Sequence, residues 1–527
     1  MTAETVRSDG AVAPNAHRLL WAGFVAIMAS GVGFSVRGGI LGQWANQFGF
    51  TMTELGTITG GGLTGFGIII ILSSLVADKL GYGKLLVMAF LLHLASAGLT
   101  LAAPMAFASG GKPLALQALT WAMFLFAVGN GLCEAVVNPL TATLFPKNKT
   151  HYLNILHAGW PAGLVLGGLA SFFMAGTTNS LGEFTTPPVD WRIQMSLFLV
   201  PVVLYGGMLL GQKFPKSEAE SAGVSLGQMI GQIFAPLMIV LLVIHAMVGY
   251  VELGTDSWIS KITGAIMGSP ASGLALFVYT SSLMFLLRFV AGPIVHRISP
   301  LGLLFLSGVL GACGLTLLGN ATSVAMCIAA ATVYALGKTF LWPTMLAVVS
   351  EQFPKGGAVA IGMLGGVGML SAGLLGGPAI GFKQDYNAAY KLRTESVETY
   401  DRYKAGSESQ FAGYSTVGLD GAKVGVLEDG GKELTRAGEL LAKDGKEDKN
   451  HAELAAWWST AQATAAADKP LVEGAGIYGG KAALRLTAYV PATMAVLYLL
   501  LILYFKATGG YKAKHVESPE SLGTAES

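Results

Sequence analysis

Charge is what this 527-residue sequence has least of: 12% of its residues are Asp, Glu, Lys or Arg, against 53% hydrophobic ones. Soluble globular domains carry about 25% charged residues, so a water-soluble protein is excluded. The charges that exist nearly cancel, to a formal net +2, which supplies no basic face for a nucleic-acid partner. Cysteine is scarce as well. Cys133, Cys313 and Cys327 all lie in apolar stretches, so neither a disulfide framework nor a metal cluster is expected, and no metal or other cofactor is assigned. A complete Walker-type phosphate loop is missing, which removes ATP as a driving force. Spacing assembles no nucleophile with its base and orienter, so the chain is read as not an enzyme.

What is present is apolar sequence in long runs. A bilayer core takes about 20 mainly apolar residues per helix, and twelve segments qualify: 19–47, 54–77, 85–105, 115–145, 151–176, 191–212, 232–253, 271–295, 300–319, 322–351, 357–382 and 483–506. The expected fold class is therefore an all-α membrane protein of twelve transmembrane helices. The first segment is too long for a signal-peptide core and is read as a retained helix. The 71 glycines suit close helix packing in lipid. Thirteen Lys and Arg in the tails and short loops of one side oppose three on the other, which predicts both termini in the cytoplasm. A bacterial inner (plasma) membrane and a monomer are expected.

The remaining charge is concentrated: Lys383 to Lys481 holds 13 Lys+Arg and 16 Asp+Glu. This stretch is expected to be an extracytoplasmic insertion between helices 11 and 12, either partly ordered or forming a cap over the outer mouth. It contains helical runs such as Lys432 to Lys443. The halves echo one another: GLCEAVVNPL from Gly131 resembles ALGKTFLWPT from Ala335, and each runs on to Phe-Pro-Lys. AGLVLGGL from Ala162 resembles AGLLGGP from Ala372, and VRGGILGQW from Val36 loosely matches VELGTDSW from Val251. The layout is then a tail at 1–18, a six-helix half at 19–212, a linker at 213–231, a second half at 232–506 interrupted by 383–481, and a tail at 507–527.

SLVADKLGYGK, Ser74 to Lys84, resembles the signature loop between helices two and three of the major facilitator superfamily, and GPIVHRISPLG from Gly292 is a degraded second copy. The resemblance implies two pseudo-symmetric six-helix halves that rock about a central site, with Asp78 and Lys79 latching one access state. CEAVVNPLTATLFP is similar to the fourth helix of the fucose/galactose/glucose proton symporters, in which a Glu preceding Asn-Pro is proton-linked. Carried over, that role falls on Glu134, with Asn138 and Pro139 completing the pattern. Helix one departs: those symporters have an acid near the position of Arg37 or Gly38. Arg288 in helix eight is spaced like an anion-binding Arg of nitrate-type members, and is read here as structural or gating.

A charge at a helix centre costs about 2.5 to 3.5 kcal/mol on insertion scales. Arg37, Glu134 and Lys338 lie well inside helices and Glu252 lies near the end of one, so each must face water or a partner. Cross-half pairs, Arg37 with Glu252 or Glu134 with Lys338, are expected to form in one access state and break in the other. Asp256, nearer the outer surface, is a second candidate for the proton-coupling acid, the alternative being an interface acid that is simply solvated. Gln43, Asn138, His157, Trp160, Tyr250 and Trp342 supply the amide, ring and aromatic partners that a sugar requires. The expected function is proton-coupled symport of a small polar solute, a sugar, with the solute, protons and the lipid bilayer as partners. Organic or inorganic anion transport, drug efflux and a transport-deficient sensor are the alternatives.

Overall fold

The computed structural model describes residues 13–50, 62–178, 184–443 and 448–514, with residues 55, 58 and 516 in isolation. Most of the first tail and of the last, with part of the second segment's start, lie outside the described residues. Twelve helices are long and apolar enough to cross a bilayer. They are α1 (Ala16–Phe48), α2 (Gly62–Leu80), α3 (Tyr82–Leu101), α4 (Ala103–Leu144), α5 (Lys149–Met174), α6 (Trp191–Leu209), α7 (Pro236–Met267), α8 (Pro270–Arg288), α9 (Ala291–Gly319), α10 (Val324–Gln352), α11 (Pro354–Glu395) and α12 (Ala465–Ala507). All twelve expected segments correspond to one of these, because each is an apolar run whose backbone bonds must close within the helix.

The two halves meet along α2 with α11 and along α5 with α8, and α4 and α5 also pack on α10. Several helices are broken where sequence chemistry requires it. α4 bends at Gly110 and Gly111, and α9 at Ser299, which has a positive φ of 65°. α7 widens into a π turn at Tyr250–Gly254 and α11 at Ala372–Gly376, and these two turns pack on each other. Single π turns inside α-helices concentrate at functional sites.

The first and last described segments reach the same face. Asn15 Nδ2 bonds Gln212 Oε1 and the Lys213 carbonyl, at 3.2 and 3.0 Å, and Gln352 Nε2 donates to the Lys512 carbonyl. Two short linker helices, Glu218–Ser221 and Leu226–Ile233, lie beneath α2 and α11 there, sealed by Ala219, Met229 and Val359.

The charged stretch is folded in its described part. α11 runs on as helix to Glu395 and α12 begins at Ala465, so both stand well beyond the expected limits of 382 and 483. Between them come four further helices, Val397–Tyr403, Gly421–Asp429, Lys432–Lys443 and Lys449–Ala461, and a hairpin of β-strands Ser409–Phe411 and Tyr414–Thr416. A second core of Leu392, Tyr403, Leu427, Val472 and Ala475 holds them, with Trp457 and Trp458 against it. Inside, Arg402 grips Asp468 through two bonds of 2.9 and 2.7 Å, while Thr399 and Thr464 donate to the same carboxylate.

Candidate functional site

Glu134 is on α4, five residues before Pro139, and is 7% exposed. Its Oε2 accepts from Asn138 Nδ2 at 2.7 Å, one helical turn on. The same amide's oxygen is 2.8 Å from His157 Nε2 on α5, which also comes within 4.0 Å of Glu134 Oε2. The three side chains thus form a chain in which one amide ties the carboxylate to the imidazole.

Arg288, at the end of α8, faces them from the other half and is 1% exposed. Its Nη2 donates to Glu252 Oε1 at 2.9 Å, its Nε to the Thr339 carbonyl at 2.9 Å, and its Nη1 to the His157 carbonyl at 2.5 Å. The two carbonyls have a common origin. In a helix, the carbonyl of residue i bonds the N–H of residue i+4, and here residues i+4 are Pro161 and Pro343, which have no N–H. Each half therefore offers Arg288 a proline-freed backbone acceptor inside the membrane, and a single guanidinium meets both. Glu252 reaches Arg288 from the π turn of α7, where Tyr334 Oη also donates to the Val251 carbonyl at 2.7 Å.

Lys338 is held by Asp256, whose oxygens are 2.5 and 2.7 Å from Nζ. Glu252 pairs with Arg288 and Lys338 with Asp256, both within the second half; neither of the cross-half pairs expected in one access state is formed in this one among the described residues. Asp256 is an ion-pair partner, with an 11% exposed side chain, rather than a solvated interface acid. Arg37 is packed inside the first half, away from Glu252. Its Nη2 donates to Ser96 Oγ at 2.8 Å, its Nη1 to the Gly33 carbonyl, and its guanidinium lies 4.0 Å over Phe126. Glu252 lies in the widened turn of α7 and Lys338 at the helix break before Pro343, and spacing alone carried no sign of either feature.

The other expected residues divide. His157 and Asn138 join Glu134. Trp342, 4% exposed, packs its ring 4.6 Å from that of His245. Trp160 is half-buried against Phe34. Tyr250 receives a bond from Lys383 on α11 at 2.9 Å. Gln43 instead bonds the Val189 carbonyl in the loop before α6, so it fastens a loop. Asp78 sits at the linker face beside Tyr82, whose hydroxyl is 3.3 Å away, and Lys79 is exposed. On that face Lys149 Nζ reaches the Ser350 carbonyl at 3.3 Å and Glu218 at 3.4 Å, Thr150 reaches Glu351, and Asn154 reaches Thr344. These contacts, missed by pattern reading, join the halves at one end.

The sequence profile of the Major Facilitator Superfamily matches residues 23–377. No curated protein matches the chain in sequence. Among solved structures, a bacterial homolog of the human lysosomal transporter Spinster, inward-facing and unoccupied, aligns with a TM-score of 0.57 at 14% identity, covering 93% of this chain and 97% of that one. The fucose:proton symporter of E. coli aligns at 0.55 and 16% identity over 69% of this chain and 91% of its own. The E. coli xylose transporter, partially occluded and inward open, aligns at 0.52 and 12% over 68% and 92%. At these identities the likeness is one of fold.

Proposed function

Because the chain belongs to the major facilitator superfamily, we propose that it is a secondary active transporter carrying a neutral sugar together with a proton, by alternating access between its two six-helix halves. One observation carries the reading: of the three acids buried in the membrane helices around the site, Glu134 alone has no Lys or Arg within ion-pair distance among the described residues. An ionisable group at that depth is a functional residue by default, and a carboxylate held by one neutral amide can take up a proton without breaking an ion pair.

Coupling follows from Arg288. Ionised Glu134 competes with Glu252 and with the His157 carbonyl for the guanidinium, and protonated Glu134 does not. Proton uptake at Glu134 leaves Arg288 seated across both halves, and proton loss draws it off the cross-half carbonyl. Asn138 and His157 orient the carboxylate, and Trp342 offers an aromatic face to a pyranose ring. The arrangement favours a neutral cargo over an anion, since Lys338 and Arg288 are already matched by Asp256 and Glu252. The basic excess on the face carrying both termini supports placing that face in the cytoplasm of a bacterial inner membrane.

The test is competition. Uptake of labelled fucose and xylose into proteoliposomes under an inward proton gradient should be blocked by unlabelled neutral monosaccharides. Block by carboxylates or phosphates with no effect of sugars would overturn the sugar reading in favour of anion transport.

A further inference from the structure

The membrane helices bury three histidines, and they are not equivalent. His93 has both ring nitrogens occupied, by Tyr205 Oη at 2.9 Å and Asn130 Oδ1 at 3.0 Å. His157 is engaged through Asn138. His245 on α7 is 0% exposed, yet neither Nδ1 nor Nε2 has a hydrogen-bond partner among the described protein atoms. Buried polar groups are overwhelmingly paired, because stripping water from one without replacing its bonds is costly.

His245 is also in the right place. It precedes Glu252 by seven residues, two turns along α7, so both lie on one face of that helix. Its ring packs on Trp342 at 4.6 Å, tilted by 56°. The pair sits in a cradle that glycine makes possible: a Cβ at Gly368 on α11 would come within 2.7 Å of the Trp342 ring and 2.9 Å of His245 Cδ2. Glu252 Oε2 on the same helix face is likewise without a partner.

We propose that His245 is a solute-contacting residue whose ring hydrogen-bonds a sugar hydroxyl, with Trp342 beneath the ring. A neutral imidazole presents one donor and one acceptor that point away from each other, and a hydroxyl can meet either one. The contact gives a partner to a ring nitrogen that has none among the described protein atoms, and it selects sugars that carry a hydroxyl at the carbon facing it. This inference rests on the sugar reading given above.

Three variants test it: His245→Phe, which fills the volume without polar atoms, His245→Ala, and His245→Gln, whose amide again offers a donor and an acceptor. Exchange of labelled fucose, xylose and glucose is measured in proteoliposomes at equal protein content, with thermal stability followed in parallel. For whichever sugar the wild type exchanges, His245→Phe and His245→Ala should raise the half-saturation concentration roughly fivefold or more, since losing one bond of about 1 kcal/mol is worth about that. The maximal rate should change little, and His245→Gln should recover most of the loss. A His245→Phe protein with wild-type half-saturation overturns this inference alone. A wild type that exchanges none of the three sugars overturns the sugar reading and this inference with it.

Discussion

At the scale of single residues, the site is defined by which charges have partners. Arg288 answers one carboxylate and two proline-freed carbonyls with a 1% exposed side chain. Replacing it with Ala strands Glu252 and both acceptors, so Arg288→Ala should destabilise the fold by roughly 3 to 5 kcal/mol, the range for breaking a buried pair; thermal or denaturant unfolding in detergent measures it. Arg37 predicts the opposite. It has two hydrogen bonds and an aromatic neighbour but no acid among the described residues, and well-packed apolar replacements of buried charge are often neutral or stabilising. Arg37→Met should keep sugar uptake and hold or raise the melting temperature. Loss of uptake in a stable Arg37→Met protein would return Arg37 to the site.

At the scale of elements, α2 and α11 form the closest inter-half seam. A Cβ at Gly67 would lie 2.9 Å from the Gly366 carbonyl oxygen and 3.0 Å from the Leu370 amide. If the halves rock along this seam, Gly67→Val should lower the maximal transport rate while leaving half-saturation in place, a split that uptake kinetics read directly. The folded outer unit is a separate element with its own core. Replacing 397–463 by a short flexible linker should leave uptake intact, since the Glu134 and Arg288 contacts are made without it. Abolished uptake in a stable, membrane-inserted deletion would make the unit part of the transport cycle.

The elements were also the most legible part of the sequence. Each membrane helix announces itself by the length of its apolar run, and Glu134, Asn138 and Pro139 carry a readable pattern whose partner His157 was also named. The pairings were not legible. Glu252 meets Arg288 from a π turn, and Lys338 meets Asp256 at the end of the α10 segment that breaks at Thr339. Such defects leave weak traces in sequence, though a proline four residues after a membrane carbonyl is one that can be sought. The order of the outer unit was hidden for a related reason: its small core draws on residues far apart, from Leu392 to Ala475.

At the scale of the whole molecule, the structure is fastened at the face that carries the linker helices. Lys149, Thr150 and Asn154 of the first half reach Ser350, Glu351 and Thr344 of the second. Lys149→Ala should loosen that end, and a cysteine introduced at Thr143, close by on α4, should then react faster with a membrane-impermeant maleimide. Unchanged labelling would mean that the fastening lies elsewhere.

The central claim is that Glu134 carries the proton that travels with the sugar. It is tested most directly by recording internal pH in proteoliposomes, with a trapped dye, while a neutral sugar is added outside in the absence of any imposed gradient. Wild-type protein should acidify the lumen as sugar enters; Glu134→Gln should still exchange labelled sugar across the membrane but leave the dye signal flat. Sugar-driven acidification by Glu134→Gln at the wild-type rate would contradict the assignment.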